Sequence, residues 1–214
     1  MTQPDQRALP PLDTLFDAAP GDAAPLPPTL ATLYGRLAFP AVGRPWIISN
    51  FVASIDGVVA YNDPIPPGQG EISASNPHDR AVMGLLRAMA DAVIVGAGTL
   101  RSVPRHLWTP SYIYPPLAAE YAALRSALGK SSAPLTVIVS ASGDVDTALP
   151  VFQQAEASAL LLTTPEGAAR LAGYALGPRA RVVAAAADEG VGGLAAATVR
   201  ALTVAALAEG ADAA

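Results

Sequence analysis

Hydrophobic and polar positions along this chain alternate between two periods, about two residues and about 3.6, in short blocks separated by turn residues. Residues 44–54, with Trp46, Ile47, Ile48, Phe51 and Val52, read as a first strand. Asp56 followed by Gly57 is a turn signal. Residues 58–61 either continue as a short strand or open the loop 62–70, whose prolines and glycines place it on the surface. A punctuated helix follows. Ser75 or Asn76 can cap it, Pro77 suits its first turn, and Asp79 complements the dipole there. Val82, Leu85, Leu86 and Met89 form its expected apolar stripe. Asp91 then opens a strand over 92–95, in which Val93, Ile94 and Val95 give the β-branched run of a strand covered on both faces. The segment 102–116 is rich in aromatics and proline and holds His106, Trp108, Tyr112 and Tyr114. Beyond it the pattern predicts a helix over 117–128, strands over 135–140, 159–163 and 181–185, a short helix over 165–172, and a helical tail over 194–208. Ahead of these elements, residues 1–28 read as an extended arm with a short helix near 12–16, and 30–37 as a second short helix.

Strands alternating with helices predict an α/β fold, three-layer, with a mainly parallel sheet and helices on both faces. The expected organisation is an extended Pro- and Ala-rich arm over 1–43 and an α/β domain over 44–214. The length of 214 residues is enough for one such domain with a sizeable core. No internal repeat is visible.

Composition narrows the function. The formal net charge of −5 leaves no basic stripe for nucleic acid. The chain has no cysteine, so disulfides, thiolate metal sites and a cysteine nucleophile are excluded. With only His78 and His106 for imidazole ligands or bases, no metal site is expected. No apolar run is long enough to span a membrane, and the polar, proline-rich start does not resemble a signal peptide. A cytoplasmic protein is expected.

The most informative stretch is Asp91 to Thr99, where the buried strand runs into Gly96, Ala97, Gly98 and Thr99. Glycines remove side chains where a backbone turns sharply or approaches a ligand. A turn at the carboxyl end of a parallel strand is a common seat for a phosphate-bearing cofactor. The turn is not the Rossmann fingerprint, because Arg101 stands where its third glycine belongs. Taken alone it is a weak signal, since most such turns hold no ligand.

Several pieces, in this order, resemble the C-terminal reductase domain of bifunctional bacterial riboflavin-biosynthesis proteins, which has the dihydrofolate reductase fold. The pieces are Asn50, Phe51 and Val52 followed by Ala53-Ser54-Ile55-Asp56-Gly57; Leu86-Arg87-Ala88 ahead of the strand at 92; Val95-Gly96-Ala97-Gly98-Thr99; and the strands ending at Ser140 and Thr164. The resemblance spans about 44–210. It departs in two places. Val103 stands where the family usually carries an acidic residue. The family's later Glu-Gly-Gly turn is absent, so the fold is expected to lack its final strands, and Glu209 with Gly210 does not stand in for that turn.

The resemblance implies NADPH-dependent reduction of a ribosylamino-pyrimidine phosphate. Gly96, Gly98 and Thr99 are implied to approach the NADPH phosphates, Ser140 and Thr164 to border its adenosine, and Ala53 and Gly57 to lie near the nicotinamide. Ser54, Asn50 and Asp56 are implied to face the substrate, with Asp56 the candidate for proton transfer. Arg101 and Arg105 are candidates for the substrate phosphate, Arg105 foremost. The loop 58–70 is implied to act as a lid.

Plainer readings stand beside these. Asp56 with Gly57 is a good turn pair whatever its chemistry, and Ser140 and Thr164 can be simple strand-end hydroxyls. Thr99 can cap the segment after it. His78 reads as a solvated first-turn residue, Arg87 as a helix-surface residue or a structural pair, and the aromatics around His106 as loop packing. A catalytically silent member kept for binding or oligomer formation, and a related reductase acting on another substrate, remain open. A deaminase function is excluded by the lack of cysteine. A homodimer is expected, because an early end would leave apolar surface and strand edge uncovered.

Overall fold

In the computed structural model, β-branched and leucine-rich runs form four parallel strands in the order β1-β2-β3-β4: β1 (Ala92–Gly96), β2 (Leu135–Ser140), β3 (Ala159–Thr163) and β4 (Ala180–Ala184). The structure describes residues 9–18, 21–38, 46–59 and 73–184. The helices are α1 (Pro28–Tyr34), α2 (Pro77–Met89), α3 (Ala97–Ser102), α4 (Pro110–Ile113), α5 (Ala118–Ala127), α6 (Pro150–Gln153) and α7 (Pro165–Leu171), with a 3₁₀ turn at Pro115–Leu117. The chain packs as two units, one from Met1–Met89 with Pro110–Lys130, the other from Ala90–Thr109 with Ser131–Ala214.

The sheet belongs to the second unit. Its register pairs Val93 with Thr136 and Ile138 with Leu161, so like positions line up across the strands. Alternation sends Val95, Ile138 and Leu161 to one face, where they pack with Leu100 of α3, Trp108, Val151 and Phe152 of α6, and Leu171 of α7. On the other face Leu135, Val137, Leu160 and Leu162 form a second buried cluster. Both faces of β2 and β3 are therefore apolar, as parallel strands require. Burying them removes apolar area from water at about 25 cal/mol per Å².

In the first unit, Leu30 and Leu37 pack with Leu85 and Ala88 of α2 and with Tyr121 and Leu124 of α5. The Tyr121 ring lies so close to α2 that a Cβ on Gly84 would sit 2.6 Å from it. Its hydroxyl donates to the Ala81 carbonyl at 2.8 Å. Burial pushes that phenol's pKa up. Arg125, only 2% exposed, donates through Nη1 to the Ala88 carbonyl at 3.1 Å, which satisfies the carboxyl end of α2.

Several expectations are corrected. The described part of the strand expected over 44–54 has no strand pairing, and Trp46, Ile47, Ile48, Phe51 and Ile55 are exposed. Apolar alternation makes a strand possible, but only a ladder partner makes it one. Residues 12–16 are not helical; the Leu12 N–H instead donates to the Leu33 carbonyl, and Leu15 and Phe16 point to solvent. The helix expected over 30–37 runs Pro28–Tyr34 and ends at Gly35, whose φ is +82°. The buried face of α2 is Ala81, Gly84, Leu85 and Ala88, because small residues admit the Tyr121 ring; Val82, Leu86 and Met89 are half-buried. Between 97 and 117 the chain is mostly helical. His78 is half-buried, with Nε2 2.9 Å from the Pro10 carbonyl, so it is not a freely solvated residue. Arg87 is also half-buried, and burial lowers its pKa to about 10, which leaves it charged at neutral pH. The loop 60–70 and the tail helix 194–208 lie outside the described residues. No described helix is long and apolar enough to cross a membrane.

Candidate functional site

A parallel sheet puts the carboxyl ends of all its strands on one edge. That edge of the second unit holds Gly96 at the end of β1, Ser140 at the end of β2, and Thr164 just after β3. Ser140 pairs in register with Thr163, and Gly96 with Val139. The sequence candidates Gly96, Gly98, Thr99, Ser140 and Thr164 are thus brought to one rim.

The glycine segment differs from the sharp turn expected of it. The chain passes from β1 into α3 without a left-handed residue, and Gly96 itself is extended at φ −76°. These glycines are therefore not required by backbone conformation. Their effect is space. A Cβ built at either Gly96 or Gly98 meets nothing within 4 Å, and Gly96, Gly98 and Thr99 are exposed. First-turn N–H groups of a helix have no intrahelical acceptor, so this backbone is open to an anion. Leu100, on the opposite side of α3, is buried in the core and fixes the helix on the sheet.

The loop after β2 closes the rim beside it. Gly143, at φ +67°, lies so close to α7 that a Cβ there would be 2.5 Å from the Gly167 carbonyl. Arg101 Nη1 donates to the Asp144 carbonyl at 3.4 Å, tying α3 to that loop. The Thr164 hydroxyl donates to the Ala141 carbonyl at 2.9 Å and accepts from the Gly167 N–H at 3.1 Å, capping α7. Its hydroxyl hydrogen is already committed. Ser140 is buried. Arg105 is exposed beyond α3, and His106 tilts against the buried Trp108 with ring centroids 5.1 Å apart. Val103, at the position where an acidic residue was expected, packs its side chain against the core. The contact of Gly143 with Gly167 had no clear signal in the sequence beyond the Ser142-Gly143-Asp144 turn residues.

The other candidates belong to the first unit. The backbone from Ser54 to Val58 closes a tight turn: the Gly57 N–H donates to the Ser54 carbonyl at 2.9 Å, and the Ser54 N–H donates to the Val58 carbonyl at 3.0 Å. Gly57 sits at φ +88°, a left-handed conformation that favours glycine. Ser54 Oγ accepts from the Val58 N–H at 3.0 Å and donates to the Asp56 carboxylate in a short contact. That hydrogen bond, then the backbone N–H of Asp56 itself, holds the Asp56 carboxyl below its usual pKa, against the opposing effect of desolvation. Asn50, Ala53 and Asp56 are exposed, and Ser54 is half-buried.

The rim suits a phosphate-bearing cofactor: its backbone is open where two missing Cβ atoms leave room. The Ser54 turn offers a fixed, exposed anion. Among the described residues, no three His, Asp or Glu side chains gather as a metal site. No curated protein matches the chain. The family model for the RibD C-terminal domain matches residues 45–206, a stretch that contains the Ser54 turn, the glycine segment and all four strands. The chain therefore belongs to the RibD C-terminal domain family, the reductase domain of riboflavin-biosynthesis proteins.

Proposed function

We propose that the protein catalyses NADPH-dependent reduction of a ribosylamino-pyrimidine phosphate, of the 5-amino-6-(5-phosphoribosylamino)uracil type. Family membership supports the reductive reaction. The observation that carries the cofactor is the open backbone at Gly96 and Gly98 on the carboxyl rim of a parallel sheet. NADPH, when bound, supplies hydride to the sugar carbon that was C1′ of the ribose. Gly96, Gly98 and Thr99 hold its phosphates by backbone N–H groups, with the Thr99 hydroxyl beside them. Ser140 borders the adenosine side. Thr164 contributes there through position, since its hydroxyl caps α7. Ala53 and Gly57 flank the nicotinamide, Ser54 and Asn50 contact the pyrimidine, and Arg105 takes the substrate phosphate.

Asp56 sharpens the chemistry. Its lowered pKa makes it an anion at neutral pH. A carboxylate in that state can accept a proton or hold the hydroxyls of an opened ribose.

A second reading, a silent member retained for binding, draws on Val103, whose apolar side chain fills core space where family members place an acid. In both readings the protein is cytoplasmic and dimeric, and the exposed Trp46, Phe51 and Ile55 support self-association. Steady-state oxidation of NADPH with the pyrimidine substrate separates the two. Turnover that requires both compounds upholds the reductase; NADPH binding without turnover leaves the silent form.

A further inference from the structure

The amino ends of β3 and β4, at the far end of the strands from the glycine segment, border an open cavity of about 250 Å³. Its walls are Ser158, Ala159, Pro178, Arg179, Ala180 and Arg181, all within the second unit. Two arginines thus line one small concavity in a chain whose net charge is −5. Among the described residues, neither arginine forms an ion pair with a carboxylate. Glu156, two residues before Ser158, has its Oε2 on the Ala155 N–H at 3.2 Å.

The cavity is anchored. Arg179 Nη1 donates to the Ala155 carbonyl at 3.3 Å, which orients the guanidinium and leaves its other N–H donors for a ligand. The Arg179 carbonyl accepts from the Ala159 N–H at 3.0 Å, fixing the turn to the sheet. Arg181 is the second residue of β4 and is exposed. The hydroxyl of Ser158 adds a donor of another kind. Forked, planar donors of this sort match tetrahedral and planar oxyanions better than point charges do.

We propose that this cavity is a phosphate-binding site, separate from the cofactor rim, in which Arg179 and Arg181 grip the oxygens and Ser158 completes the contact. It takes a free phosphate ion or the phosphate of a small sugar phosphate. It does not depend on the reductase reading, because none of its residues belongs to the rim.

The test is a titration of the whole chain with inorganic phosphate, and in parallel with ribose 5-phosphate, followed by amide chemical shifts with sodium chloride as the ionic-strength control. Shifts centred on Ser158 and on residues 178–181 are expected. R179Q with R181Q should weaken them by about tenfold or more, a loss equivalent to 1.4 kcal/mol. R170Q, a neutralised arginine elsewhere on the unit, and G98V, which fills the cofactor rim, should leave them in place. Tighter binding of ribose 5-phosphate than of phosphate identifies a sugar phosphate as the occupant; equal binding identifies the free ion. The proposal is overturned if the shifts are absent, if they centre on residues 96–99 and vanish in G98V, or if the double variant binds as well as the wild type. Should the double variant fold poorly, R181Q alone, at a solvent-exposed position, carries the same test.

Discussion

At the scale of single residues, the candidate site separates into groups whose chemistry is committed and groups that are open. Thr164 is committed: its hydroxyl caps α7 through the Gly167 N–H. Thr164→Ala should cost about 1 kcal/mol in thermal or urea unfolding, with Thr164→Ser restoring most of it. Asp56 is held as an anion by Ser54. Because its folded pKa is depressed, the turn's carboxylate contacts are present above the unfolded pKa and are lost as pH falls through the folded value. Turnover should therefore stay level from neutral pH downward and fall only below the usual carboxylate value of about 4. Ser54→Ala should move that fall to higher pH, and a pH–rate profile with an unmoved limb would contradict the role given to Ser54. The Asp56 and Gly57 turn was legible in the sequence because both residue types serve one backbone geometry. The purpose of Gly96 and Gly98 was only half legible. A missing Cβ looks the same in sequence whether it releases φ or clears space, and here it clears space.

At the scale of elements, strands bounded on both sides were read closely. β2 and β3 fall where continuous apolar runs placed them, since a strand buried on both faces must be apolar throughout. The segment 46–54 is also rich in apolar residues but has no ladder partner among the described residues, and composition alone cannot supply one. For α2, the helix was legible from Asn76, Pro77 and Asp79, and the Asn76 side chain does accept the His78 N–H at 2.9 Å. Its buried face was legible only at Leu85, because the period of 3.6 marks large side chains, and here a glycine faces the core to admit Tyr121. Gly84→Ala should overpack that contact and destabilise the protein by about 1–3 kcal/mol. Tyr121→Phe, which loses the hydrogen bond to the Ala81 carbonyl but keeps the ring, should cost about 1 kcal/mol in the same unfolding experiment. A larger effect of the Phe variant than of the Ala variant would mean that the hydroxyl, and not the ring's fit, governs the packing of α2 against α5.

For the whole molecule, the family was legible because the motifs occur in the right order, although each is weak alone. The substrate was less so. The side chains proposed to contact it, such as Asn50 and Arg105, are marked by no local pattern. The proposed dimer belongs to this scale as well. Sedimentation equilibrium should give twice the mass of the chain, and F51S with I55S should shift it toward the single-chain mass. A wild type that sediments as one chain would remove the exposed apolar residues as support for self-association.

The central claim is that the rim at Gly96, Gly98 and Thr99 holds NADPH. Calorimetric titration of the wild type and of G98V with NADPH, with NADH as the control, tests it most directly. Saturable, NADPH-selective binding by the wild type, weakened about tenfold or more in a G98V variant of unchanged melting temperature, is the predicted result. A wild type that binds neither nucleotide, or a G98V variant that binds NADPH as the wild type does, would contradict it.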